Sequence, residues 1–529
     1  MRRSFHRFVL AASLAWIGHD LGDVPLAAQP SVHLGKGVTA DDAVRRGLLA
    51  GDRIPRTIHD IRARLQHEYG GRLRTHIVAN GGHGYPSPSN VAFMCFETYE
   101  GPIPGGSVTQ GDLMLGFFLE PHGNTLSVGN GFVELIAWDS TKRVYNFWEL
   151  EGTDWFYRGY SNDIAANVAH LNLGRPDASF ISTEPSTGQK NLLRCSGCHT
   201  LGAPIMKEIE APHNDWWRSD RQLPLGTLRP DEQVAKLFAG ATDASNLADQ
   251  IKRAIDRLVI ARGVFGQTLP QVMRSLVTTF EINLESDNVP FDTRVHDGNP
   301  VEIPSAFFVD PRLIGRAPPV RVDVRAYDVA LEQVGSRFPP DSATSVRDAH
   351  HAFLVPTPSY ADQRVVEGMK TLGTVDAELV SDVLAVDMTT PVFSSARAAI
   401  LRYFPASASD VAGLRRQLVD ALTESPAADD AARSLLTNIV DPTQTAAAHH
   451  KAASLFLDTC RKAASNPAAV ESWLRHADGQ RRAIDEAQTA RHPLGAIAEH
   501  GFRNVFPSHG RAAQRLRLNP TTCIAEPRP

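Results

Sequence analysis

The pattern of apolar and polar positions changes twice along the chain. Apolar residues such as Ile58, Ile61 and Leu65 recur at helical spacing, so residues 29–79 predict an N-terminal helical segment, with helix expected over 34–75. Between 80 and 161, two-residue alternation, aromatic residues and frequent glycines predict an antiparallel β domain. We expect its strands at 91–99, 113–120, 132–138, 143–150 and 155–160, with the clearest hairpin turning through 139–142.

Helical spacing returns after residue 161. Apolar positions at 247, 251, 255 and 258 line one face of a predicted helix, and Pro270 is suited to the first turn of the next. Residues 288–360 are rich in proline and predict a packed connector. In 361–529 we expect helices at 362–372, 377–384, 394–403, 410–424, 429–439, 443–464 and 467–491. The predicted class is α+β multidomain, an antiparallel β-rich N-terminal domain followed by mainly helical regions.

The first 28 residues have the composition of an export signal. A basic head is followed by the apolar run 8–18 and by a small-residue exit at Ala27-Ala28, which is typical of a secretory signal peptide. The alternative is a short amphipathic first helix. No later run approaches the length of about 18 apolar residues that a spanning helix needs. We therefore expect a periplasmic or secreted protein without a membrane span.

The net charge of the chain excludes only a few classes of binding partner. The 529-residue chain has a formal net charge of −5. Removal of the signal peptide takes away three arginines and two aspartates, which leaves a mildly acidic mature protein. Such a surface argues against nucleic acid or an anionic membrane as a partner.

The strongest chemical signal is Cys195-Ser196-Gly197-Cys198-His199. With 5 cysteines and 20 histidines in the chain, a Cys-x-x-Cys-His match is expected by chance about two times in a thousand. On a helical turn the two thiols share one face, and the imidazole follows them directly. The alternatives are a disulfide-exchange pair, half of a zinc site and two inert thiols. A zinc site would need a second close Cys/His pair, which the sequence lacks.

These residues, followed by Gly202-Ala203-Pro204, resemble the haem-binding segment of the c-type cytochrome family. The match covers about ten residues of the chain. The resemblance implies one covalently attached haem c, bonded to Cys195 and Cys198, with His199 as the proximal iron ligand. It also implies a cytochrome c-like haem domain, assigned to 162–287, and single-electron transfer. Only one such motif is present, which departs from the di-haem peroxidases and multihaem oxidases.

The sixth iron ligand stays open at this point. Met273 lies 74 residues after His199, a separation similar to that of the distal methionine in small cytochromes, and is the first candidate. His213 and Met206 are the others, and an open iron site is a further alternative. A methionine ligand raises the reduction potential and closes the iron to substrates. The Pro204 carbonyl is a candidate for orienting the His199 ring.

Three functions are consistent with this reading. The first is electron transfer between a redox partner protein, or a small-molecule donor or acceptor, and the haem. The second is a haem c enzyme of peroxidase, oxidase or dehydrogenase type, with an open or displaceable sixth site. The third is a redox sensor in which the β domain binds a ligand.

Several other residues admit a plain structural interpretation beside a functional one. Three tryptophans of the β domain, at 138, 148 and 155, either line a ligand pocket or fill the core, and we favour the core. Cys95 is expected to be a buried, inert thiol. Cys460 and Cys523 are either a disulfide or two free thiols. Four histidines are either metal or haem ligands or ordinary surface residues, and we favour the surface role: His83, His122, His350 and His351.

Overall fold

The computed structural model describes most of the chain outside both termini and several internal segments. The described residues are 30–34, 37–80, 92–161, 199, 202–204, 216–217, 219, 225–262, 269–277, 282–285, 300–315, 317–334, 355–358, 360–391, 394–491 and 516–527. Several predictions fall outside them, namely the signal peptide 1–28 and the side chains of Cys195, Cys198, Met206, His213, His83, His350 and His351.

A β-sheet dominates the N-terminal region. Its long strands are β2 (Arg72–Asn80), β3 (Ala92–Ile103), β5 (Leu113–His122), β6 (Thr125–Asp139), β7 (Val144–Glu151) and β8 (Asp154–Tyr160). Short strands are added by β1 (Val32–His33), β4 (Gly106–Val108) and β9 (Arg229–Pro230). The order is β1-β8-β7-β6-β5-β3-β2, with β4 on β3 and β9 on β6. The long strands are antiparallel, whereas β1 and β9 pair in parallel, so the sheet is mixed.

All five predicted strands are confirmed, and so is the 139–142 hairpin, which pairs Asp139 with Val144. The structure differs over 72–80, where the helix expected over 34–75 gives way to strand β2. Thr75, Ile77 and Val78 are β-branched residues, and the stretch pairs along its whole length with β3. Among the described residues before it, helical structure consists of α1 (Ile58–Ala63) and the π-helical turns Val44–Leu48 and Arg64–Glu68.

Alternation along the strands gives the sheet two different faces. We call one the closed face, which carries the buried side chains of Cys95, Phe117, Leu135, Trp148 and Trp155. The helical segment 44–68 and α2 (Glu232–Ala239) cover it. We call the other the site face, which carries Met94, Met114, Ile136, Tyr145 and Phe147. Helix α3 (Ala244–Arg262) covers part of the site face, as its apolar periodicity predicts.

The remaining described elements are short strands and helices. The strands form three two-stranded ladders: β10 (Ile282–Glu285) with β13 (Val355–Pro358), β11 (Val301–Ile303) with β12 (Val320–Val322), and β14 (Leu516–Leu518) with β15 (Ala525–Pro527). The helices are α4 (Leu269–Val277), α5 (Pro311–Ile314), α6 (Val324–Val334), α7 (Tyr360–Thr371), α8 (Ala377–Ala385), α9 (Ser395–Ile400), α10 (Val411–Thr423), α11 (Asp430–Val440), α12 (Ala446–Ala463) and α13 (Pro467–Arg491). The 3₁₀ turns are Ser305–Phe307 and Leu401–Tyr403.

The C-terminal helices predicted from periodicity are confirmed to within three residues at their ends. They share one hydrophobic cluster with α4, with Phe307 and Phe308 of the proline-rich stretch, and with Cys460 and Cys523. The described part of 288–360 therefore packs into the C-terminal core. The structure confirms the coarse α+β class, and the domain boundaries stay predictions.

Cys460 and Cys523 form a disulfide, which decides the alternative that the sequence left open. The bond joins α12 to the β14–β15 hairpin across a sequence separation of 63 residues. Trp473 of α13 also holds this hairpin, because its Nε1 donates a hydrogen bond to the Cys523 carbonyl over 2.6 Å. Loop-closure entropy gives such a crosslink a stabilisation of about 4 kcal/mol.

Candidate haem site

The site is built around the imidazole of His199. Its Nδ1 lies 2.8 Å from the carbonyl oxygen of Ala203. Because a carbonyl oxygen only accepts, Nδ1 carries the proton in this hydrogen bond and Nε2 keeps its lone pair. A metal-bound histidine is typically oriented in this way by a carbonyl on its second nitrogen. The orienting carbonyl belongs to Ala203, so the expectation for Pro204 was wrong by one residue.

Gly202 makes this turn possible. Its backbone N–H donates to the His199 carbonyl over 2.7 Å, and its φ is +63°, in the left-handed region that favours glycine. A Cβ at this position would lie 2.0 Å from the backbone oxygen of Ser161. The turn is therefore pressed directly against the end of β8, and no side chain fits between them.

Ser161 in turn is tied to β7. Its Oγ accepts a hydrogen bond from the Tyr145 backbone N–H over 2.9 Å, and the residue is fully buried. Ala203 is buried in the same hydrophobic cluster as Tyr145 and Phe147. These contacts place the residues that follow the cysteine motif on the site face of the sheet.

The ring of Phe147 packs directly against His199. The two ring centroids are 5.1 Å apart at an interplanar angle of 60°, an edge-to-face arrangement. Phe147 lies on a central strand and is 2% exposed, so its position is fixed by the sheet. One side of the imidazole is thereby held in a rigid apolar setting.

A buried ion pair lies on the same face beside Phe147. Glu149, two residues further along β7, accepts a hydrogen bond from Arg158 Nε over 2.5 Å, and both side chains are at most 2% exposed. Arg158 Nη2 also donates to Glu151 over 2.9 Å, and its guanidinium lies over the Phe156 ring at 4.5 Å. Paired burial of this kind fixes Arg158 in one orientation.

No group of three or more His, Cys, Asp or Glu side chains among the described residues is placed to hold a bare metal ion. His199, with its Nδ1 hydrogen bond to a carbonyl, has the donor chemistry expected of a histidine that would bind haem iron. Of the three residues of the motif that would hold a haem, the described one therefore fits this group.

Of the three candidates for the sixth iron ligand, only Met273 lies among the described residues. Met273 lies on α4 and is fully buried in the C-terminal hydrophobic cluster, whereas the neighbours of His199 belong to the site-face cluster. Helix α7 contacts both α3 and α4 and so links the two regions. His213 and Met206 lie outside the described residues. Iron ligation by Met273 stays a prediction.

The structure adds a histidine that the sequence did not single out. His76 on β2 is fully buried on the site face, and its Nδ1 lies 3.2 Å from the Thr242 carbonyl. Burial lowers its pKa to about 4, so it is neutral at ordinary pH. Strand β2 lies four strand spacings, about 19 Å, from β7. His76 therefore lies on a strand well removed from β7, whose Phe147 contacts His199.

The other candidate residues have structural roles. Trp148 and Trp155 are fully buried in the core of the closed face, as expected, whereas Trp138 is only partly buried. Cys95 is buried and burial raises the pKa of its thiol, which agrees with an inert role. His122 lies exposed at the end of β5.

The alternation of β7 predicts that Tyr145, Phe147 and Glu149 share one face of the strand. Nothing in that pattern predicts that His199, about 50 residues later, packs against the same face. No helix in the described part of the chain is long and apolar enough to cross a membrane. No family model, curated protein or solved structure matches this chain.

Proposed function

We propose that this chain is an exported mono-haem c-type cytochrome that transfers single electrons. Cys195 and Cys198 would hold the haem through thioether bonds, and His199 would bind its iron through Nε2. One observation carries the proposal: the histidine of a Cys-x-x-Cys-His motif has its Nδ1 hydrogen-bonded to a backbone carbonyl, the contact that typically orients a histidine which binds a metal through Nε2.

When bound, the haem supplies a one-electron redox centre. The chain's own residues orient the histidine ligand. The Ala203 carbonyl fixes the tautomer and raises the basicity of His199. The Gly202 turn fixes the position of the segment against β8, and the Phe147 ring restricts rotation of the imidazole. A rigid ligand of this kind suits electron transfer, in which little should move as the charge changes.

The disulfide supports export. Cys460 and Cys523 are bonded and fully buried, and disulfides persist mainly in oxidising compartments outside the bacterial cytoplasm. Attachment of haem to Cys-x-x-Cys-His motifs in bacteria takes place on the same side of the membrane. The basic and apolar N-terminal residues provide the corresponding signal.

The decisive experiment is to express the chain in the periplasm of a bacterium with the cytochrome c maturation system. We expect a red protein whose mass includes one haem that survives denaturation. Replacement of both Cys195 and Cys198 with serine should abolish covalent attachment. The matched control is Cys95→Ser, a buried thiol outside the motif, which should keep the haem. A colourless wild-type protein at apoprotein mass would contradict the proposal.

The same preparation decides the role of Met273. If Met273 binds the iron, Met273→Leu should open the sixth site, so that carbon monoxide binds the reduced protein rapidly and the reduction potential falls. Met369→Leu is the control, since Met369 is equally buried in the same cluster. Rapid carbon monoxide binding by the unmodified protein would instead favour the enzyme alternative.

A further inference from the structure

Trp138 stands apart from the other two tryptophans of the β domain. Trp148 and Trp155 are enclosed in the core of the closed face, whereas Trp138 lies on the site face and is only partly buried. On β6 it is directly opposite Tyr145 of β7. The core role expected for all three tryptophans therefore does not describe this one fully.

Aromatic rings connect Trp138 with His199. The Trp138 and Tyr145 ring centroids are 5.0 Å apart in an edge-to-face contact. Tyr145 and Phe147 lie two residues apart on the same strand and face, a rise of about 7 Å. The Phe147 and His199 centroids are 5.1 Å apart. Aromatic rings thus lie at intervals between the imidazole and the partly exposed indole, with ring contacts between His199 and Phe147 and between Tyr145 and Trp138.

Trp138 lies next to a part of α3 that reaches the protein surface. The Arg257 guanidinium of α3 lies 5.2 Å from the centre of its ring and forms an ion pair with Asp112. One turn further along α3, Ile260 is 70% exposed. Arg253, one turn before, is exposed and donates a hydrogen bond to the Gln110 side chain over 3.0 Å.

We propose that Trp138 is the exit through which an electron leaves the haem site, with Phe147 and Tyr145 as the bridge. This inference rests on the proposed electron-transfer function. An outside one-electron oxidant takes an electron from the indole of Trp138. The oxidised indole then takes one electron from the reduced haem, which restores Trp138 and leaves the haem oxidised by one electron. No bond forms or breaks in either step.

Tyr145 is suited to bridging without becoming a radical itself. Its hydroxyl donates to the Gly111 carbonyl over 2.9 Å, and a carbonyl does not take up the phenolic proton. Complete burial raises the pKa of Tyr145 far above its usual value, because the phenolate has no solvation there. An indole does not need to lose a proton to be oxidised, so we assign the charge to Trp138. The neighbouring Arg257 guanidinium opposes a positive charge on this ring, and its ion pair with Asp112 offsets that effect.

The closed face contains an aromatic pair with similar geometry that leads elsewhere. Trp148 and Tyr157 have ring centroids 5.0 Å apart, but both are buried. The Trp148 Nε1 donates to the buried Asp42 over 3.0 Å, and the Tyr157 hydroxyl donates to Asn146. This pair therefore ends in a buried polar network, whereas Trp138 reaches the surface.

The test uses the reduced holoprotein with a ruthenium polypyridyl photo-oxidant and an irreversible quencher. After a laser flash, the fall in reduced-haem absorbance gives the rate of haem oxidation. Trp138→Phe should slow this oxidation severalfold, and Tyr145→Phe should slow it less. Trp155→Phe, on the opposite face, should leave it unchanged. Haem spectra and reduction potentials of the three variants should equal those of the unmodified protein.

An unchanged rate in Trp138→Phe, with normal spectrum and potential, would overturn the proposal. A second measurement does not depend on that variant folding. In Trp155→Phe, transient absorption should show an indole radical that decays as the haem is oxidised, and haem oxidation without such a radical would also overturn it. A wild-type protein without haem would contradict the proposed function itself before any flash.

Discussion

The two faces of the N-terminal sheet have the same alternation but different uses. The closed face is covered by the helical segment 44–68, which precedes the long strands, and by α2, which follows them. The site face is covered by residues that come later in the chain than its strands, including α3 and the turn after the cysteine motif. The two faces thus differ in what covers them, although their strand pattern is the same, and the proposed haem would lie on the site face.

Each face of the sheet contains buried polar groups with partners on the same face. On the closed face, Asp42 accepts hydrogen bonds from Asn146 Nδ2 over 2.6 Å and from Trp148 Nε1 over 3.0 Å, which ties the N-terminal segment to β7. On the site face, Glu149 and Arg158 form an ion pair two residues from the ring that contacts His199. Substitutions on each face should therefore separate stability from haem properties.

The largest effect on stability is expected on the closed face. Trp155→Ala removes a fully buried indole whose Nε1 donates to the Pro55 carbonyl over 2.8 Å. Loss of a buried tryptophan costs about 3–5 kcal/mol of unfolding free energy. Urea denaturation followed by circular dichroism should show this loss, while the haem spectrum in the folded state stays unchanged. A changed spectrum would show that the two faces are not independent.

The next effect depends on pH. Burial raises the pKa of Asp42 from 3.8 to about 6, with Asp139 contributing in the same direction. The folded state therefore binds the proton more tightly than the unfolded state, so this group stabilises the fold below pH 4 and loses that contribution as pH rises through 6. The shift corresponds to about 3 kcal/mol.

Asp42→Asn should remove this component of the pH dependence. The measurement is the unfolding free energy at several pH values between 3.5 and 7. The difference between the unmodified protein and the variant should change with pH across this window. Asp52→Asn, at an exposed position, is the matched control and should show a constant difference. A constant difference for Asp42→Asn as well would contradict the assignment.

The secondary structure was largely predictable because its signals are local. Two-residue alternation located the strands that contain Phe117 and Leu135, and apolar periodicity located the C-terminal helices. The stretch around Thr75 and Ile77 was assigned to helix because the apolar periodicity of the preceding residues was extended too far. Its pairing with β3 is a tertiary contact that overrides a weak local preference.

The site was predictable only in part. The cysteine motif directed attention to His199 from five consecutive residues, and iron ligation by His199 stays a prediction. The contacts of His199 with Phe147 and of Gly202 with Ser161 join segments that lie about 40 to 50 residues apart in sequence, and no local pattern encodes such a return. The sequence predicted the Pro204 carbonyl as the partner of the His199 ring, and the structure has the neighbouring Ala203 carbonyl. The two carbonyls are adjacent in the same turn, and the sequence does not distinguish between them.

A smaller effect on stability, with a clear effect on the haem, is expected from Gly202→Ala. The added Cβ meets the Ser161 backbone oxygen, and a non-glycine residue at this φ costs about 1–3 kcal/mol. Because the turn also carries the Ala203 carbonyl, the His199 hydrogen bond should weaken and the reduction potential should rise. Gly226→Ala has a similar φ and open space around it, and should leave the potential unchanged. Equal reduction potentials in both variants would show that the Gly202 turn does not influence the His199 ligand.

The smallest effect on stability is expected from Phe147→Leu, which nevertheless tests the comparison most directly. The variant keeps an apolar side chain on the site face but removes the ring contact with His199, a loss of about 1 kcal/mol. Phe117→Leu makes the same change at a buried position of the closed face and should cost a similar amount.

Only Phe147→Leu should alter the orientation of the imidazole, and therefore the electron paramagnetic resonance spectrum of the oxidised haem. If both variants gave identical spectra, the Phe147 ring would have a packing role only and would not orient His199. The two faces would then differ only in the segments that cover them.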